Sequence, residues 1–402
     1  MSLDLSNTAV QVDGMASHIR ERQSAHDLSI ENALRVLVDF PVDELATRIL
    51  QHPESAWGVP RLLGQPSART IPPKPPHDFT VVAADGSHIA PDRHLPVHCF
   101  LINTGIATLR YGSQPDAWLR NNPTLYMTDD EVMVRDKLTG RQHAIEGAVL
   151  GAKRAVSEIG ALAEAIQELP DDVPVFGLLD GSLVMPGLVD HGLPDFVITN
   201  LIRDGLVGTL DELQAMASKR TLAVGSYISL PGSFEVVNAL RLIACSYNDL
   251  DSRYRCSNLW PGTQPCNDCV GGVLDREIFA RLLESGERSA LFATSSPVTE
   301  KYYMDHGVYF CYVNTGEEIG RLEVPSWVAE DDALLDFAHA LLVDQCHRGQ
   351  GYPVSLMEAH EQAVVGGSDR RYFCALIEEA LQGQGLPVYT SEKERSKRLR
   401  WL

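Results

Sequence analysis

Between residues 141 and 169 the apolar positions Ile145, Val149, Ala152, Val156, Ile159, Leu162, Ile166 and Leu169 recur at threes and fours, the spacing of one face of a long helix. On both sides of this stretch the period changes. Residues 79–84 (FTVVAA) and 173–179 (VPVFGLL) are short unbroken apolar runs, the pattern of strands covered on both faces of a sheet. Residues 98–111 and 124–134 supply two further strands, and 221–228 (TLAVGSYI) a fifth, after a helical stretch from about 210 to 219. The order strand, strand, strand, helix, strand predicts an α/β domain. Beyond residue 294 a mixed region containing TEKYYMDHGVYFCYVN adds strands, and 334–343, 353–365 and 371–381 predict closing helices.

Ahead of the first strand the chain reads mainly as helix to about residue 70, with Ile30, Ala33, Leu34, Val36 and Leu37 on one face. The proline-rich stretch IPPKPPHDF then marks a stiff linker. The expected division is a helical extension with its linker over 1–75, an α/β domain over 76–382, and a basic C-terminal tail over 383–402. Within the domain, residues 246–272 are rich in turn formers and read as an insertion.

Composition narrows the function. The 402 residues include 44% hydrophobic and 22% charged, enough apolar material for a full core. No stretch approaches the roughly 20 apolar residues that span a bilayer, and the first residues lack a basic-then-apolar leader, so a soluble, cytoplasmic protein is expected. A net charge of −20 excludes coating nucleic acid by bulk electrostatics, which needs a field of Lys and Arg. It leaves room for local basic groups, such as Lys393, Arg395, Lys397, Arg398 and Arg400, and for carboxylates that attract phosphate once they hold a cation. Four of the 8 cysteines, Cys245, Cys256, Cys266 and Cys269, crowd the insertion, the last two as C-x2-C. They suit either a tetrahedral thiolate site for structural Zn²⁺ or reduced thiols packed as small apolar groups.

The chemistry is carried by a repeat. Each of the two strongest apolar runs ends in Asp-Gly-Ser, at Asp85 and at Asp180. If the two strands lie side by side and parallel, both carboxylates reach the same sheet edge, where open α/β sheets place their ligands. Glycine after each aspartate permits a sharp turn, and the serine can cap the next stretch of chain. Two fixed carboxylates in one place repel unless a cation lies between them, and Mn²⁺ or Mg²⁺ is the hard ion that carboxylate oxygen prefers. A glutamate on the intervening helix would complete the set: Glu158 is the choice, 22 residues before Asp180 and so far enough for the rest of the helix, a turn and a strand to return to the same edge, with Glu146 and Glu164 as rivals. Two ions in such a cage would activate a water and stabilise a leaving 3′ oxygen at phosphorus.

With these motifs in place the chain resembles the NurA nucleases, in its opening apolar strand ending in Asp-Gly-Ser, in LLDGSL, and in a Tyr-Pro-x-x-Leu-x-x-Ala-His block. That block stands here as Tyr352, Pro353, Leu356, Ala359 and His360, and the resemblance runs over roughly 79–365. It implies a ribonuclease H-like mixed sheet flanked by helices, here with the N-terminal extension and the Cys-containing insertion. It implies metal-binding roles for Asp85, Glu158 and Asp180, and a site tyrosine and histidine at Tyr352 and His360. His360 could bind the ion or move a proton, and Tyr352 could hydrogen-bond a phosphate oxygen. By resemblance alone, the expected activity is 5′ to 3′ exonuclease and single-strand endonuclease on DNA during end resection. The expected partners are a second copy of the chain and a HerA-type hexameric ATPase.

Other motifs fail. His360-Glu361 opens like a zinc-protease H-E-x-x-H, but residue 364 is valine. There is no G-x-S-x-G elbow, and no Gly-Lys pair from which to build a phosphate loop, so any motor must be another protein. Two competing functions fit the same residues: an inactive ribonuclease H-like partner of a translocase, and a metal-dependent phosphatase for small esters.

Overall fold

The computed structural model describes residues 4–51, 58–92, 95, 97–185, 187–190, 192–244 and 270–386. Its strands in chain order are β1 (Arg61–Leu62), β2 (Arg69–Thr70), β3 (Phe79–Ile89), β4 (Phe100–Tyr111), β5 (Asp116–Tyr126), β6 (Met133–Arg135) and β7 (Gln142–Ala144). They continue with β8 (Val175–Asp180), β9 (Leu222–Ile228), β10 (Arg288–Ser289), β11 (Phe292–Ala293), β12 (Val308–Asn314) and β13 (Ile319–Pro325). The first three helices are α1 (Leu5–Val38), α2 (Val42–Gln51) and α3 (Gly147–Gln167). The described chain forms two compact units. One gathers the N-terminal segment to Pro72 with Ile228–Ser295 and Tyr309–Leu322; the other gathers Pro73–Tyr227, Ser296–Val308 and the chain from Glu323 onward.

In the second unit β3, β4 and β5 form an antiparallel meander, and β8 joins β3 on its other side in parallel, with Thr80 opposite Val175 and Ala84 opposite Leu179. Next to it β9 is parallel to β8. The spatial order is therefore β5-β4-β3-β8-β9. Long α3 makes the crossover between the antiparallel and parallel halves; Val149, Leu150, Ile159, Leu162 and Ile166 on its inner face are buried with Val82, Ala84, Val175 and Val224 of the strands. Antiparallel pairs need only tight turns, whereas the parallel step from β4–β5 back to β8 needs a covering helix. This mixed sheet flanked by helices is ribonuclease H-like.

Three local expectations change. The strand expected at 124–134 is β5, which runs from Asp116 to Tyr126 and is exposed over its whole length short of Tyr126. With its side chains exposed it carries no apolar alternation, and Pro123 within it is tolerated because an edge strand need not donate on both sides. The segment after it forms the small β6–β7 hairpin instead. The N-terminal segment is also not helix throughout: after α1 and α2 it adds β1 and β2, which pair with β11 and β10.

In the first unit Ile30, Ala33 and Leu37 of α1 are buried with Val237 and Leu240 of the helix Glu235–Ala244, and with Phe279, Phe292, Phe310 and Tyr312. Cys245, Cys256, Cys266 and Cys269, most of the expected insertion, and the basic residues 393–400 lie outside the described residues. Among the described residues no helix is long and apolar enough to cross a membrane.

Candidate active site

All five residues singled out in the sequence for this site lie in the second unit. Asp85 and Asp180 each directly follow the last residues paired in the parallel ladder of β3 and β8, Ala84 and Leu179, so register alone sets their backbones side by side. The two Asp-Gly-Ser segments differ in form. At Asp180 the chain turns sharply: Gly181 has φ 86°, a conformation that a side chain disfavours. At Asp85 there is no turn, because β3 continues to Ile89, with Gly86 opposite Thr104 and Ser87 opposite Asn103 of β4.

Gly86 serves close approach. A methyl group there would stand 2.5 Å from Glu158 Oε1, so only glycine lets the α3 carboxylate come down onto the strand. Glu158 lies on the buried face of α3 at 5% exposure, while its rivals Glu146 and Glu164 are exposed. A carboxylate among packed aliphatic side chains loses its hydration. That loss is the first cause pushing its pKa up to about 8; the Arg154 guanidinium opposes it, and the charges of Asp85 and Asp180 add to it. Arg154, one turn earlier on α3, places Nη1 3.2 Å from Glu158 Oε1 as an ion pair and donates to the Gly86 carbonyl. The ion pair lacks hydrogen-bond geometry, and Oε1 is buried with no hydrogen-bond partner.

Asp180 has its carboxyl raised as well. Dehydration is the first cause, Tyr352 opposes it through a hydrogen bond, and the Asp85 charge reinforces it. Asp180 itself remains exposed to solvent. Tyr352 Oη donates to Asp180 Oδ1 at 3.0 Å. The ring stands edge-on to Tyr227, 5.7 Å between centroids, and Tyr227 is the β9 residue opposite Asp180. A tight turn delivers Tyr352: Gly351 has φ 114°, and a side chain at Gly349 would overlap the Tyr352 carbonyl.

The helix Val354–Ala363 follows, with Leu356 and Ala359 buried and His360 at the rim, where its Nδ1 meets Asp85 Oδ2 at 2.7 Å. Its seat is built by Gly105 and Asn103, which no sequence pattern singles out, and by Ser87 of the first Asp-Gly-Ser. Gly105, opposite Asp85 on β4, lets the helix backbone pass so close that a methyl there would overlap the Ala359 carbonyl and stand 2.5 Å from the Ala363 nitrogen. Ser87 Oγ and Asn103 Nδ2 both donate to the Ala363 carbonyl, at 2.5 and 2.9 Å. The expectation that Ser87 caps the stretch of chain after it is therefore corrected: with no turn there, its hydroxyl secures the end of a helix remote in sequence. Ser182 does accept locally, from the Val184 amide at 3.0 Å, and also donates to Glu323 Oε2 at 2.8 Å. Glu323, 1% exposed on β13, accepts from the Leu183 amide too and so holds the second turn. No signal marked Glu323, since one acidic residue in a short strand looks like a solvent-facing position.

Asp85, Glu158, Asp180, Tyr352 and His360 are thus one neighbourhood in which three carboxylates have separate partners: His360, Arg154 and Tyr352. Among the described residues no three His, Cys, Asp or Glu side chains converge on a common ion position as they stand.

A mixed sheet with carboxylates clustered where its central parallel pairing ends, faced by a helix glutamate, defines a ribonuclease H-like α/β protein. A family model, the NurA domain, matches residues 79–365, and the chain belongs to the NurA family. The crystal structure of the NurA nuclease from Sulfolobus solfataricus is similar at 12% identity and TM-score 0.46, covering 96% of this chain and 98% of that one. The catalytic domain of human endonuclease V is similar at 13% identity and TM-score 0.31, covering 86% and 100%. No curated protein matches.

Proposed function

We propose that this chain is a divalent-metal-dependent nuclease that hydrolyses DNA phosphodiester bonds, acting as a 5′ to 3′ exonuclease and single-strand endonuclease in end resection. The observation that carries the reading is the electrostatic one. Burial first, then the charges of Asp85 and Asp180, raise the cost of ionising Glu158; Asp85 does the same at Asp180; and Glu158 keeps a buried oxygen without a hydrogen-bond partner. A hard cation relieves both, so the donor set fits Mn²⁺ or Mg²⁺ held by the three carboxylates, with His360 at the rim. Such an ion supplies charge neutralisation at phosphorus and a more acidic water.

The protein's own groups do the rest. With Nδ1 of His360 turned to Asp85 Oδ2, Nε2 is left at an exposed position where it can serve proton transfer. Tyr352 donates its one O–H to the Asp180 carboxylate, and can hydrogen-bond a non-bridging phosphate oxygen only by releasing it, as it would once a cation took over Asp180. The chain has no Gly-Lys pair for a phosphate loop, so any motor is another protein; by family resemblance alone, that partner is a HerA-type hexameric ATPase and the nuclease acts as a dimer.

The test is incubation with end-labelled single-stranded DNA in Mn²⁺ or Mg²⁺. Wild type is expected to shorten the strand, and Asp85→Ala to lose at least about a hundredfold in rate, since metal-borne charge stabilisation is worth several kcal/mol. Equal product from both proteins removes the site; release of phosphate from small esters with the DNA intact favours the phosphatase.

A further inference from the structure

β3 outlasts its parallel neighbour. Pairing with β8 ends at Ala84 opposite Leu179, yet β3 runs on to Ile89. Beyond Ala84 two carbonyls of β3, those of Gly86 and His88, are met by guanidinium groups rather than by a strand. Arg154 of α3 donates to the first, and Arg370, from the helix Gly367–Gly383, donates to the second at 3.3 Å. Carbonyls two residues apart point the same way and stand about 7 Å from each other along a strand. Two cations from two different helices therefore line one short edge that starts beside Asp85 and leads away from it.

Both charges act at the His88 side chain between them: its pKa is lowered by burial first, then by Arg154, then by Arg370. Burial and both guanidinium groups therefore disfavour its protonated form. Arg154 shares its charge with Glu158, whereas Arg370 is exposed and has no ion pair among the described residues. Each guanidinium carries more N–H donors than one carbonyl can accept, in the planar array that suits phosphate oxygens. In a chain of net charge −20, an exposed arginine without an acidic partner beside a carboxylate cluster needs a reason.

We propose that Arg154 and Arg370 form a two-guanidinium rail that binds successive phosphates of the DNA strand next to the scissile bond. The proposal rests on the nuclease reading and adds where the flanking strand lies. Arg154, already tied to Glu158, takes the phosphate nearer the carboxylates, and Arg370 the one beyond. The strand's negative charge then meets local cations on its way past an acidic surface.

Arg370 allows a clean test, because it touches none of the five residues named for the chemistry. Glutamine in its place can still donate to the His88 carbonyl but carries no charge; lysine keeps the charge. Two measurements apply to wild type, R370Q and R370K. One is metal-free binding of a fluorescein-labelled single-stranded oligonucleotide by anisotropy across a salt series; the other is steady-state cleavage in Mn²⁺. R370Q is expected to bind a few-fold more weakly, with a log–log salt slope shallower by about 0.7, the loss of one phosphate contact on a single strand. Its KM rises by the same factor at unchanged kcat and unchanged melting temperature, and R370K retains the wild-type salt slope. An R370Q protein with wild-type affinity, salt slope and KM overturns the rail while leaving the nuclease reading standing. A wild type that neither binds nor cuts DNA defeats the nuclease reading, and the rail with it.

Discussion

Glu158 concentrates the cost of this site in one side chain. It ionises near 4.5 in an unfolded chain and is pushed up to about 8 in the folded one, burial being the first cause. The folded state therefore holds its proton more tightly than the unfolded state. The stability this contributes is complete below about pH 4.5 and is lost as the pH rises through about 8. Metal-free protein should accordingly lose stability between those limits, by at most a few kcal/mol from this group. Urea titrations in EDTA at the two ends of the window measure it. Glu158→Gln should flatten the dependence and be the more stable protein at the alkaline end, while losing metal-supported cleavage. A variant that keeps the full wild-type slope would show that some other group is responsible. A cation bound there would therefore have to displace the proton that the fold favours on Glu158.

At the scale of elements, the helix Val354–Ala363 and β4 are fitted to each other at one point. Gly105→Ala would set a methyl against the Ala359 carbonyl and the Ala363 nitrogen, and neither is the end of a flexible side chain. The helix must shift, at roughly 1–3 kcal/mol by analogy with overpacked cores. His360, carried on that helix, moves away from Asp85. Thermal melting and cleavage rate should both fall; a stable, fully active Gly105→Ala would show that the helix seat is not needed to position His360. The strands that carry Asp85 and Asp180 were legible because burial on both faces leaves unbroken apolar runs, and α3 because its inner face repeats every turn. β5 was not, since a strand exposed along its length has no inside to write into the sequence. The same limit hid the supports of the site. Gly105, Asn103 and Glu323, and the helix-end partner of Ser87, act through contacts with residues far along the chain, and such pairings leave no local period. Arg154 was visible only as a neighbour of Glu158, not as the donor to a strand carbonyl.

At the scale of the whole molecule, the net charge of −20 sets the problem that the site has to solve. A phosphodiester strand approaching an acidic protein is repelled unless positive charge is local, and three clustered carboxylates without a cation make matters worse. A divalent ion at Asp85, Glu158 and Asp180, as proposed, would offset that charge at the one place where it matters. Crystals soaked in Mn²⁺, with anomalous difference density collected near the manganese edge, test this most directly. The expected result is a peak about 2.1 Å from carboxylate oxygens of both Asp85 and Asp180, with the Glu158 side chain turned toward it. Density that stays empty there while Mn²⁺ occupies another position, in crystals of protein that cuts DNA, would contradict it.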